Sequence, residues 1–69
     1  MYVPSLLDRV RVNGGEHVFL VVNVDEAQGC VDLVSWNDEY GVVERFPLVQ
    51  HLPFSIVQLL APGAFRPKG

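Results

Sequence analysis

Trp36 and Tyr40 stand four residues apart, with Asn37, Asp38 and Glu39 between them. Two aromatic rings beside two carboxylates are the materials of a cage for an organic cation. Each good contact between a ring face and a cation contributes about 0.5–2 kcal/mol. A methylated or cationic peptide is the ligand class such a cage takes. The same residues also suit a hairpin turn, in which Trp36 packs across the strands against Val42 or Val43 and Tyr40 covers the turn.

Nucleophilic chemistry needs a nucleophile, a base and a group that orients the base, all within hydrogen-bond reach. Ser35, Ser55 and Cys30 are the nucleophiles on offer, His17 and His51 the bases, and no motif links any pair. His51 reads as a surface or lightly packed histidine and His17 as an edge residue beside Glu16. Cys30 after Gly29 reads as a small strand hydrophobe. The adjacent pairs Asp25-Glu26 and Asp38-Glu39 fall in turns, where solvated charges are the rule. A structural zinc takes about four nitrogen or sulfur ligands, and Cys30, His17 and His51 lack ligand-like spacing. The expectation is no catalytic centre, no metal and no cofactor.

These residues must be positioned by a short chain. Sixty-nine residues make one domain. A chain of this size buries only about 60% of the surface its unfolded form exposes. Cys30 is the single cysteine, so no disulfide can form within the chain. A compact core or self-association must supply the stability. The composition is 49% hydrophobic and 19% charged, with net charge -3 and only five Lys and Arg. That balance argues against a nucleic-acid duplex as partner, because such binders gather basic residues on one face. No apolar run reaches the ~18 residues of a membrane helix, and MYVPSLLDRV lacks the plan of a signal peptide. A soluble cytoplasmic protein is expected, and a reduced Cys30 fits that compartment.

Strand signals dominate the chain. Asp8–Val12 alternates polar and apolar and ends at Asn13-Gly14-Gly15, whose residues tolerate the positive φ of tight turns. Glu16–Val24 is rich in β-branched and aromatic residues. Its better core phase is Val18, Leu20, Val22 and Val24, which leaves Phe19 and Val21 on the other side. Asp25–Gly29 is a polar turn. Cys30–Trp36 is a third strand, with Val31 and Leu33 on one face and Cys30, Asp32, Val34 and Trp36 on the other. Residues 37–41 form a hairpin loop, and a fourth strand, Gly41–Phe46, stops at Pro47. Leu48–Leu52, between two prolines, suits one helical turn. Ser55–Leu60 closes the order, and residues 61–69 form an extended tail with Phe65 as its anchor.

Five short strands with a helical turn before the last one suggest an all-β closed sheet, because closure removes open strand edges. The order resembles the five-stranded SH3-like barrels, including their Tudor-like branch. The resemblance is carried by Asp8-Arg-Val-Arg-Val12, Gly14-Gly15, and Val42-Val-Glu-Arg-Phe-Pro-Leu48 with Leu52 and Ile56, and covers a barrel core of residues 8–60. In Tudor-like domains the cage draws aromatics from two loops, and the loop Asn13-Gly14-Gly15 has none. The chain is also similar to the plasmid-borne type II dihydrofolate reductases, SH3-like tetramers with an Asp-Arg-Val-Arg opening. Their activity rests on a Val-Gln-Ile-Tyr stretch. The matching positions here are Val43, Glu44, Arg45 and Phe46, of which only Val43 is kept and Phe46 is a partial match. The resemblance implies the fold and self-association, not the activity.

A partner surface is expected at the apolar surplus. Phe19, Val21, Val34 and Trp36 are read as one contiguous sheet face, which a second copy covers unless Tyr2-Val3-Pro4 or Phe65 does. Glu44 and Arg45 are adjacent on a strand, so one of them points inward and needs a partner or a rim position. The favoured function is a non-catalytic, self-associating interaction module. The alternatives are a Tudor-like reader of cationic peptide through Trp36 and Tyr40, and a small-molecule binder or enzyme at a subunit interface.

Overall fold

The structure is a computed structural model that describes residues 1–37 and 42–63, and for residues 42–48 the backbone alone. Five strands follow in order: β1 Arg9–Val12, β2 Phe19–Asp25, β3 Cys30–Asn37, β4 Val42–Pro53 and β5 Val57–Ala61. They form one antiparallel sheet in the order β4-β3-β2-β1-β5. β4 and β5 lie at its two ends and are not paired with each other, so strand pairing leaves the sheet open. Among the described residues no helix is long and apolar enough to cross a membrane.

The turns form where Asn, Asp and Gly permit them. Asn13 and Gly14 both take positive φ, at 54° and 71°, and the Gly15 N–H closes on the Val12 carbonyl at 2.9 Å. Gly29, at φ 71°, closes Asp25–Gly29 through its N–H to the Asp25 carbonyl at 2.8 Å. β2 resumes only at Phe19 rather than at Glu16, and its pairing with β1 is confined to Arg9↔Leu20 and Val10↔Phe19.

The helical turn expected over Leu48–Leu52 is absent. β4 runs on through Pro47 as far as Pro53, and the single 3₁₀ turn among the described residues is Phe54–Ile56. Two register breaks make this possible. Between Ser35↔Glu44 and Leu33↔Val49 the four residues 45–48 oppose Val34 alone, so Pro47 falls where the ladder is already interrupted. Between Leu33↔Val49 and Val31↔Leu52, Gln50 and His51 oppose Asp32. There His51 takes φ 58°, and its N–H donates to Asp32 Oδ1 at 3.0 Å. The Asp32 side chain supplies the acceptor that the bulge removes from the ladder.

The core is Val10, Val21, Val31, Leu33, Phe54 and Val57, flanked by Tyr2, Val12, Phe19, Val24, Val49, Leu52 and Ile56. Leu52 packs against it from the end of β4, and Phe54 in the 3₁₀ turn is buried within it. The expected phase of β2 is corrected. Val21 is 0% exposed while Val22 is 40% exposed. The register shifts between Val21 and Asn23, and the bulge there interrupts the alternation, so Val24 returns to the core side.

Candidate functional site

Asp8 opens the first strand signal and is 5% exposed. Burying a carboxylate is costly unless hydrogen bonds replace its water. Here the Tyr2 hydroxyl and the Ser5 N–H (3.0 Å) donate to Oδ2, and the Gly63 N–H donates to Oδ1 at 2.7 Å. One carboxylate thus ties residues 2–5 to the end of β5. Burial, the Asp8 hydrogen bond and the Asp8 charge together push the Tyr2 phenol far above its ordinary value. Leu7, beside Asp8, holds φ 70°, a left-handed conformation that a leucine seldom adopts. It is held there by the bond from its N–H to the Val21 carbonyl at 2.8 Å and by the return bond from Val21 N–H to Asp8 at 3.0 Å. A cleft of about 380 Å³ opens between residues 2–8 and Pro62-Gly63. Gly63 lines it, and the backbones approach closely there, since a Cβ on Gly63 would sit 2.8 Å from the Leu6 carbonyl oxygen.

Exposed apolar residues gather at this end of the sheet. Leu6 is 58% exposed, Leu7 43%, and Leu59 and Leu60 44% each. The register explains their nearness. Arg9 lies opposite Ala61, which sets Leu6 and Leu7 beside Pro62 and Gly63, just beyond the two leucines of β5. Between Arg9 and Val10 the register shifts, and Leu60 is the extra residue of a bulge.

The expected partner face is divided by the same pairing rules. Residues directly opposite in a ladder share a face. Phe19 pairs with Ser35 and Val21 with Leu33, while Val34 pairs with Leu20. Phe19 packs against the core and Val21 lies within it, so neither offers a free surface with Val34 and Trp36. Val34 and Trp36 are half-buried on the opposite face. The bond from Trp36 N–H to the Val18 carbonyl, at 3.0 Å, ties β3 to the approach of β2. The Arg9 guanidinium stands 5.8 Å from the Trp36 ring centroid and donates to the Pro62 carbonyl at 3.0 Å. A cation of the chain itself therefore already approaches this ring. Tyr40 and Phe65 lie outside the described residues. Glu44 lies opposite Ser35 and Arg45 follows it in the irregular part of β4.

One pairing among the candidate nucleophiles and bases was not legible in spacing. His17 Nε2 and Ser35 Oγ share a hydrogen bond of 2.8 Å, and the imidazole lies 4.7 Å from the Phe19 ring, tilted by 44°. Ser35 is 2% exposed, and among the described residues no carboxylate orients the imidazole. The hydroxyl is buried, and the bond to His17 satisfies it. The expected energetics are asymmetric. His17→Ala leaves a buried hydroxyl unpartnered and is expected to cost about 1–3 kcal/mol. Ser35→Ala leaves an exposed imidazole that water satisfies, and is expected to cost about 1 kcal/mol or less. Urea unfolding of both variants checks the order, and Ser35→Ala being the costlier would reverse the assignment.

Cys30 is buried and free, and among the described residues no cluster of His, Cys, Asp and Glu could hold a metal ion. Sequence reasoning missed Asp8 as a hub, although Ser5 three residues before it is a spacing at which a carboxylate takes a backbone N–H. Compared with known proteins, the chain matches no family model, no curated protein and no solved structure.

Proposed function

We propose that this protein is a non-catalytic interaction module that associates with copies of itself, its sheet curled in the manner of an SH3-like barrel. The observation that carries the reading is the gathering of Leu6, Leu7, Leu59 and Leu60 at the β5 end of an open sheet. The core beside them is small, with six buried apolar residues in its cluster. Burying further leucines against a second copy is the available source of added stability. A cationic-peptide cage is the weaker reading, because Arg9 already stands over Trp36.

Sedimentation equilibrium from low micromolar to millimolar protein tests the proposal. A reversible oligomer is the expected result. Leu59→Lys combined with Leu60→Lys is expected to weaken association by roughly tenfold or more for each leucine that the contact buries. A strict monomer across the whole range would overturn the reading.

A further inference from the structure

We infer that the self-association proposed above, on which this inference rests, runs through the outer edge of β5, paired antiparallel with β5 of a second copy about a twofold axis at Leu59. The sheet has two end strands, β4 and β5. They differ in what their sequences allow. β4 carries Glu44, Arg45, Pro47 and Pro53 and has two register breaks against β3. Charges, prolines and irregularities are the devices by which edge strands avoid pairing with another chain. β5 reads Val57-Gln-Leu-Leu-Ala61, with no charge and no proline.

That neutrality points to a second copy rather than to a charged partner. A twofold contact at Leu59 sets 59 against 59, 58 against 60 and 57 against 61, so the two copies meet only through this one stretch, in which no side chain is charged. A chain of net charge -3 pairs with itself most favourably along a stretch that has none.

The backbone of β5 is turned correctly for this. The Asn13 N–H donates to the Ile56 carbonyl at 2.8 Å, which extends the register Arg11↔Gln58 and Val12↔Val57 by one residue. Successive residues of an antiparallel strand direct their backbone groups alternately to either side. Ile56 and Gln58 therefore face β1, and Val57 and Leu59 face outward. The Val57 N–H is already taken by the Phe54 carbonyl in the 3₁₀ turn. Leu59 directs both its N–H and its carbonyl to the side of β5 on which no described strand pairs with it. About a twofold axis there, each Leu59 N–H meets the Leu59 carbonyl of the other copy. Leu59 and Leu60, both 44% exposed on either side of the strand, then flank the junction.

Two variants test this geometry. In a hydrogen-bonded antiparallel pair the facing Cα atoms are about 5.5 Å apart, within the range of about 4.4–6.8 Å that a disulfide spans. Leu59→Cys is expected to oxidise to a covalent dimer linked at position 59, as mapped by peptide mass. The control Gln28→Cys, in the exposed Asp25–Gly29 turn, is expected to oxidise at least an order of magnitude more slowly. Leu59→Pro removes only an outward N–H, which an edge strand tolerates. It is expected to stay folded by circular dichroism and to sediment as a monomer. A wild-type oligomer combined with Leu59→Cys no faster than its control overturns the β5 edge and leaves self-association standing. So does a folded Leu59→Pro that still associates. If Leu59→Pro does not fold, the cysteine pair decides alone. A wild type that never associates overturns both.

Discussion

Asp8→Ala is expected to lower the free energy of unfolding by about 3–5 kcal/mol, since up to three donors lose their acceptor at about 1–3 kcal/mol each. A chain of 69 residues has a total stability of only about 3–10 kcal/mol, so the variant loses about a third of it or more. The loss has two parts. The carboxylate disappears, and the Ser5 and Gly63 N–H groups and the Tyr2 hydroxyl lose their acceptor at once. Donors left unsatisfied in partly buried sites cost more than the net gain of the bonds they made. The strained Leu7 also loses part of the frame that holds it at φ 70°. Asp8→Asn keeps one acceptor oxygen but presents an amide donor to a neighbouring donor, and should fall between wild type and Asp8→Ala. Urea titration checks the series, and an Asp8→Ala chain within about 0.5 kcal/mol of wild type would remove the hub from the account.

The same cluster sets a pH dependence. Desolvation first, then the hydrogen bond to Asp8 and its charge, hold the Tyr2 phenol protonated in the fold, far above its ordinary value of 10.0. A pKa raised on folding means that the unfolded chain releases its proton first. The stabilisation is thus fully present below pH 10.0 and is lost as the pH rises from there toward the folded value. Stability should fall on the alkaline side, and Tyr2→Phe should abolish that part of the slope. An unchanged alkaline slope in Tyr2→Phe would sink the assignment.

Val21→Asp and Val22→Asp are expected to differ by more than any other neighbouring pair in β2. Val21 is 0% exposed inside the core, and an aspartate there has neither water nor a partner. The expected cost is above about 4 kcal/mol, enough to prevent folding. Val22 is 40% exposed at the bulge, and its aspartate should cost about 0.5–1 kcal/mol. The comparison reads the position of the bulge directly. Simple alternation from Leu20 through Val24 would place Val22 inside and Val21 outside, and would reverse the order.

β2 shows where a sequence is legible and where it is not. Its existence as a strand follows from its own residues, because Val, Phe and Leu in that density favour the pleat whatever surrounds them. Its faces do not follow, because both phases are apolar and a single bulged residue exchanges them. β4 teaches the same lesson at its far end. Pro47 reads as a stop, since proline has no donor for a ladder, yet the strand continues because Pro47 lies in a stretch opposite Val34 that is already out of register. The Asp32 side chain then supports the second bulge at His51. That acceptor is nineteen residues away from His51, and no local pattern announces it.

Local propensity alone determined that this is a β protein with turns at Asn13-Gly14 and Asp25–Gly29 and too thin a core to be generous with stability, while the place of the 3₁₀ turn, at Phe54–Ile56 rather than Leu48–Leu52, it did not. Those features depend on φ preferences and side-chain branching, which act within a few residues. Tertiary structure decided which leucines stay outside, that His17 meets Ser35, that Arg9 stands over Trp36, and that Asp8 joins the two ends of the described chain. Each of these depends on register between distant strands. Register is set by the sum of many cross-strand contacts and by where the bulges fall. For the same reason the surface expected at Phe19, Val21, Val34 and Trp36 is divided between two faces. The apolar surplus instead comes to the surface beside the uncharged edge of β5.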